Sequence, residues 1–293
     1  MKFNQQEYYP YDITEDVNLI KEVFSMDNFE LSHEADVPYT DILKLNNTNP
    51  DREVVDKIYD YAYDRGLYLN DIKWLEYKDE LSDTNLKLLS HGSREGIRGI
   101  IRVDVSNRAS DFGSGFYCGE SLKQAGMFVS DAPNGCIYIL SFDKSGLKPI
   151  KFNISNDWML AVAYYRETLS DEYKQSGAVQ RVIESIESAD YVIAPIADNR
   201  IFETIDMFVN KELTDTQCRY ALSAIHLGNQ YVFKTQRCVD NLEILSRCYM
   251  CPIERASFAH DNSIETNTSR YKADIAKQRF ADKGQYIDEL LSE

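Results

Sequence analysis

A run of leucines ends in His91, Gly92 and Ser93, inside the stretch LLSHGSREGI at residues 88–97. A histidine in that setting does one of two things. It satisfies buried polar groups where a strand leaves the core, or it presents its ring nitrogens to a ligand at neutral pH. Twenty residues further on, DFGSGFYCGESLKQAGMFV fills residues 111–129, and three kinds of chemistry compete for it. Asp111-Phe112-Gly113 is the tripeptide of a kinase metal loop, but the chain carries neither the H-R-D loop nor the lysine-bearing strand that a kinase needs upstream. Gly113, Gly115 and Gly119 form a glycine-rich loop whose spacing misses the dinucleotide fingerprint and whose following helix lacks the βαβ frame. The third reading joins the two stretches into one constellation: His-Gly-Ser at a strand end, a glycine-rich turn into Tyr117, and a second aromatic, Phe128, eleven residues after it.

Metal chemistry has a weaker footing. Cys248 and Cys251 have a ligand-like spacing, but zinc needs about two more ligands, and the chain offers no second cysteine pair and only His33, His91, His226 and His260. The reading therefore carries no metal. Six scattered cysteines suit reduced thiols in a reducing compartment.

The elements that must position these residues are legible as patterns. TEDVNLIKEVF reads as a helix capped by Thr14, and NPDREVVDKIYDYAYDRG as one that starts at Asn49-Pro50 and stops at Gly66, with Val54, Val55, Ile58, Tyr59 and Ala62 on one face. From Leu86 the texture changes to short β-like runs, LKLLS, GFYCG, GCIYILSFD, LKPIKFN, DYVIAPI, QYVFKT and LEILSRCYM, with helical patterns between them. The expectation is an acidic, mainly helical region over 1–85, an α+β domain over 86–254 and a polar helical tail over 255–293 that either packs on the domain or lies loose.

Charge is uneven. Residues 1–85 hold 20 Asp and Glu against 8 Lys and Arg, so −12 of the net −16 lies there. An acidic chain without a basic stripe disfavours nucleic-acid binding by bulk electrostatics. The first residues lack the basic-then-apolar pattern of a signal peptide, and no stretch reaches the roughly 18 apolar residues of a membrane span. A cytoplasmic protein without a membrane partner is expected.

Taken together, LLSHGS followed by FGSGFYCGESLKQAGMF resembles the signature of ADP-ribosyltransferases of the diphtheria-toxin and poly(ADP-ribose) polymerase type, in which H-G-[ST] and F-G-x-G-[IF]-Y are followed by an aromatic eleven residues after the tyrosine. The resemblance implies a split antiparallel β core with flanking helices. It also implies NAD as substrate, with the nicotinamide ring between Tyr117 and Phe128, where cation–π attraction is worth roughly 0.5 to 2 kcal/mol. The backbone of Gly92 and the hydroxyl of Ser93 would meet the carboxamide, and His91 would donate to a ribose hydroxyl. Asp111, Phe112 and Gly113 belong to the same implied cofactor-binding set.

The family's third element is a glutamate opening a later strand. Here NQYVFKT, residues 229–235, is similar to that strand but puts Gln230 in the glutamate position, so the implied catalytic set is His91, Tyr117 and Gln230. An amide keeps a hydrogen bond but loses the charge, and charge-assisted bonds are about twice as strong as neutral ones; nor is an amide a general base. Either an acidic residue such as Asp111 or Glu203 assists, or the acceptor is already a good nucleophile, or the reaction is mono-transfer at modest rate. The competing reading is a catalytically weak or inactive NAD- or ADP-ribose-binding module acting through a protein partner.

More weakly, the segment from Leu86 to about Leu245 resembles an uncharacterised bacterial family of ADP-ribosyltransferase-like domains associated with toxin-antitoxin gene pairs. Trp158, Arg166, Asp198 and Arg200 match its recurring positions. From the residues alone, Asp198 is placed to cap a helix, and Arg200 either packs or clamps a diphosphate. The resemblance implies a toxin that transfers ADP-ribose to a macromolecular acceptor, protein rather than RNA or DNA on the acidic balance, with an antitoxin protein as a partner.

Overall fold

The computed structural model describes residues 10–45, 50–104, 106, 109–223, 228–281 and 283–292, and of 199–200, 266–270, 272–273 and 276–277 it describes the backbone alone. In chain order the elements begin with helices α1 (Ile13–Val23), α2 (Asn28–Glu34), α3 (Tyr39–Ile42), α4 (Arg52–Asp64) and α5 (Leu69–Glu80). Then come β1 (Leu86–Ser93), β2 (Phe116–Gly119), α6 (Leu122–Val129), β3 (Cys136–Asp143), β4 (Pro149–Lys151), α7 (Asn156–Tyr165), α8 (Asp171–Lys174), α9 (Gly177–Glu187) and β5 (Tyr191–Pro195). The last part holds α10 (Asn199–Val209), α11 (Asp215–Ser223), β6 (Asn229–Phe233), α12 (Gln236–Val239), β7 (Leu242–Cys248), α13 (Pro252–Arg279) and α14 (Ile287–Leu291). The fold is mixed α/β, with mostly antiparallel strands and flanking helices.

Two compact units divide the chain, the first made of Met1–Ile101, Ser121–Asp143 and Leu242–Asp261, the second of Arg102–Glu120, Lys144–Asn241 and Asn262–Glu293. In the first, β3 lies between β1 and β7, antiparallel to both. Helix α6 packs on this sheet through Leu122, Ala125 and Val129, which meet Ile137 and Ile139. The N-terminal helices build a second core of the same unit. Val54, Val55, Ile58, Tyr59 and Ala62 of α4 are all buried, together with Ile13, Val17 and Ile20 of α1, and the cluster extends to Tyr249 and Cys251. Asp16, on the buried face of α1, is held by Lys73 at 2.6 Å, as a buried carboxylate must be.

In the second unit the strand order is β4-β5-β6-β2, with β4 and β5 parallel and the other pairs antiparallel. Helix α7 is apolar on all sides, with Trp158 through Ala163 buried without a break, the pattern of a helix enclosed by its neighbours. Against it lies α9, which buries Val179, Val182, Ile183 and Ile186 at helical spacing. The C-terminal tail packs into the same core: Ile287 is fully buried beside Leu290 and Leu291, and Asp215 and Gln285 exchange hydrogen bonds, Asp215 N to Gln285 O and Gln285 N to Asp215 Oδ1, each 2.9 Å.

Two boundaries depart from the sequence reading. Thr14 lies inside α1 rather than capping it; the N-cap residue is Asp12, whose carboxylate is occupied by Ser246 Oγ at 2.9 Å. Helix α4 starts after Asp51, which caps Glu53 N at 3.0 Å, while Asn49 lies outside the described residues. Among the described residues no helix is long and apolar enough to cross a membrane.

Candidate functional site

The implied site residues divide between the two units: His91, Gly92, Ser93 and Phe128 in the first, Asp111, Phe112, Gly113, Tyr117 and Gln230 in the second. His-Gly-Ser closes its strand, with Ser93 the last residue. β1 continues through Ser93 because β3 keeps pairing with it, His91 opposite Tyr138 and Ser93 opposite Cys136. The His91 and Tyr138 rings are 6.4 Å apart, and the Tyr138 hydroxyl accepts from Ile97 N at 2.8 Å, tying down the loop that follows the strand. Gly92 abuts α6: a Cβ there would stand 2.6 Å from the Ala125 carbonyl oxygen, so no larger residue fits. The Ser93 hydroxyl accepts from Gly96 N at 3.0 Å, which leaves its own proton to donate. Phe128 is on the outer face of α6 and 65% exposed.

In the second unit, Gln230 is on the central strand β6, opposite Gly119 on one side and Ala194 on the other. These small cross-strand neighbours leave room for its amide, which is nonetheless buried. Gln230 Nε2 donates to Asp111 Oδ2 at 2.7 Å and to the Pro195 carbonyl at 3.1 Å. Asp111 is in turn gripped by Arg166, whose Nε and Nη2 reach Oδ1 at 2.9 and 2.6 Å, and by Ala197 N, which reaches Oδ2 at 2.9 Å. Arg166 immediately follows α7; its guanidinium also donates to the Ala197 carbonyl at 2.5 Å and lies 4.5 Å over the Phe202 ring. Such a carboxylate, accepting four hydrogen bonds including two from a guanidinium, is a satisfied buried charge.

The glycine-rich turn between Asp111 and β2 is pinned from two sides. Gly113 has φ +70°, a conformation that glycine adopts without strain. The Tyr117 hydroxyl accepts from Phe112 N at 3.1 Å and donates to the Gly113 carbonyl at 2.7 Å, and burial pushes its pKa well up. Lys234, four residues beyond Gln230, donates through Nζ to the carbonyls of Phe112 and Ser114 at 2.5 and 2.7 Å. Burial lowers its pKa to about 8, against a smaller opposing pull from Glu187.

The structure thus brings Asp111 and Gln230 into one buried arrangement, next to the turn that the half-buried Tyr117 pins. The Asp111 and Phe112 side chains are turned into the protein, Phe112 fully buried in the core of the unit, so the face these two residues can offer a ligand is backbone. Asp198 caps α10, its Oδ1 accepting from Ile201 N at 3.1 Å. Glu203 is exposed on α10. The Arg200 side chain and the whole of His226 lie outside the described residues. Arg166 and Lys234 are the residues that sequence reasoning did not place in the site. Arg166 carried a signal, as a cation ending an apolar helix; Lys234 carried none beyond its nearness to Gln230.

The family model described as Protein of unknown function (DUF3990) matches residues 88–244, more than half of the chain. Every residue of the implied site falls within the match. No curated protein and no solved structure matches the chain.

Proposed function

Since the chain belongs to the family described as Protein of unknown function (DUF3990), and the matched segment holds all the candidate residues, we propose that it is an NAD-dependent mono-ADP-ribosyltransferase that transfers ADP-ribose to a macromolecular acceptor and releases nicotinamide. One observation carries this reading: Tyr117 and Gln230 stand on the paired strands β2 and β6, in the register Tyr117 to Val232 and Gly119 to Gln230, so both side chains belong to one face of the sheet. That is the relation the tyrosine and the glutamate-position residue need if one is to stack on a ring and the other to hold the ribose.

The roles follow from the chemistry of each group. The aromatic face of Tyr117 takes the flat cationic nicotinamide ring. His91 donates to a ribose hydroxyl, and Gln230 accepts one through Oε1, fixing the sugar as positive charge builds on it and nicotinamide leaves. Gly92 admits the carboxamide to backbone hydrogen bonding. Because Gln230 takes up no proton, the acceptor must be nucleophilic as it arrives or lose its proton to another group.

The excess of 12 negative charges over residues 1–85 favours a protein acceptor over nucleic acid. Toxin-like action in the cytoplasm, with an antitoxin protein as partner, rests on the family resemblance alone. The test is incubation of the purified protein and a Gln230→Ala variant with NAD labelled in its adenylate moiety and a bacterial lysate, following label into protein and nucleic-acid fractions. Label in the protein fraction that the variant does not produce supports the proposal. Label in neither fraction, with NAD raising the melting temperature, points instead to a binding module.

A further inference from the structure

Set against the family's strand motif alone, Gln230 is a missing charge. The second unit accounts for it differently. Resting on the reading of the site as one that cleaves NAD, we infer that Asp111 and Arg166 are positioning residues that make glutamine, and not glutamate, the working residue at position 230.

Each Asp111 oxygen accepts two bonds: Oδ1 takes Arg166 Nε and Nη2, and Oδ2 takes Ala197 N and Gln230 Nε2. The carboxylate has no capacity left for a substrate proton, and its charge is matched by the Arg166 guanidinium at 2.6 Å. Its outward effect is on Gln230. Both amide protons of Gln230 are directed at acceptors, Asp111 Oδ2 and the Pro195 carbonyl, so the carbonyl oxygen Oε1 is the group that remains to meet a ligand. The opposite flip would set Oε1 against those same two acceptors, oxygen to oxygen, and is excluded by repulsion. The network thereby presents an acceptor oxygen, oriented without a choice of rotamer, where the family resemblance places a carboxylate oxygen.

Glutamate would break this arrangement. Its second oxygen would occupy the place of Nε2, 2.7 Å from Asp111 Oδ2 and 3.1 Å from the Pro195 carbonyl. Two carboxylates that close do not both ionise. The variant would swing the side chain away, which withdraws the fixed acceptor, or capture a proton between them, in which case one O–H replaces two N–H donors, the Pro195 carbonyl faces an oxygen, and the acceptor is held by one bond instead of two. Asparagine at 111 in the same chain would restore a donor facing the new carboxylate, with loss of the bond from Ala197 N. Alone, however, asparagine at 111 allows the Gln230 amide to turn and present its N–H groups to the substrate.

The experiment measures nicotinamide release from NAD, as kcat and KM, together with the melting temperature, for the wild type, Gln230→Glu, Asp111→Asn and the double variant. Both single variants should lose about tenfold or more in kcat, and the double variant should exceed each of them, a reciprocal rescue that a purely structural role for Asp111 does not produce. The inference is overturned if Gln230→Glu matches or exceeds the wild type, or if the double variant, folded by its melting curve, fails to exceed the better of the two single variants. Wild-type protein that releases no nicotinamide removes the premise, and the inference with it, a result distinct from both.

Discussion

Gln230 and Asp111, far apart in the chain, meet through a 2.7 Å hydrogen bond in which the amide donates and the carboxylate accepts. The bond links β6 to the turn that leads into Tyr117. It also makes the glutamine on the strand and the aspartate that opens the turn parts of one arrangement. Arg166 completes it from the end of α7.

Tyr117 holds the turn with its hydroxyl and is available to a ligand only through its ring. Tyr117→Phe keeps the ring and removes the partner of both Phe112 N and the Gly113 carbonyl. Leaving buried backbone groups unsatisfied costs about 1 to 3 kcal/mol. Urea unfolding should show a lower midpoint with an unchanged slope; an unchanged midpoint would mean that the turn is held elsewhere.

Lys234 gives the same turn a dependence on pH. Burial lowers its pKa to about 8, so the folded chain gives up this proton before the unfolded chain does. Between about 8 and the ordinary lysine value the unfolded state binds more protons, and the contribution of Lys234 to stability rises with pH. Neutral lysine still has two N–H groups for the carbonyls of Phe112 and Ser114. Lys234→Met should abolish this rise and lower stability at pH 7 by about 1 to 3 kcal/mol, read from urea midpoints at pH 7 and pH 10. An identical pH profile in the variant contradicts the assignment.

Glu254 works in the opposite sense in the first unit. Its carboxyl oxygens lie 3.0 and 2.8 Å from Asn70 Nδ2, and burial, the dominant cause, raises its pKa to about 8 against the pull of that hydrogen bond. The folded state binds more protons than the unfolded one from the ordinary glutamate value up to about 8. Its contribution is complete below that window and is lost as pH rises through it. Glu254→Gln, uncharged throughout, should flatten the decline between pH 5 and pH 8; a decline of the same size in the variant would place its origin at another group.

Much of the architecture was legible because its signals are local. The β-like runs from LKLLS to LEILSRCYM all became strands, and α4 and α9 bury the faces their periodicity marks. His-Gly-Ser does close β1, with Ser93 opposite Cys136, but caps were less legible: Thr14 yields to Asp12, whose carboxylate is drawn to Ser246. Pairings across long stretches of sequence were illegible. Asp111 and Arg166 are 55 residues apart, and an ion pair at that range leaves no period in the chain. The division of the strands between two units was equally hidden, since a strand reads the same in either.

The decisive measurement is nicotinamide release from NAD by purified wild-type protein, beside a His91→Ala variant shown to be folded. Release by the wild type and a fall of about tenfold or more in the variant are expected, because the histidine proposed to fix the ribose is gone. No release by the wild type, or release that His91→Ala leaves unchanged, would contradict the proposed function.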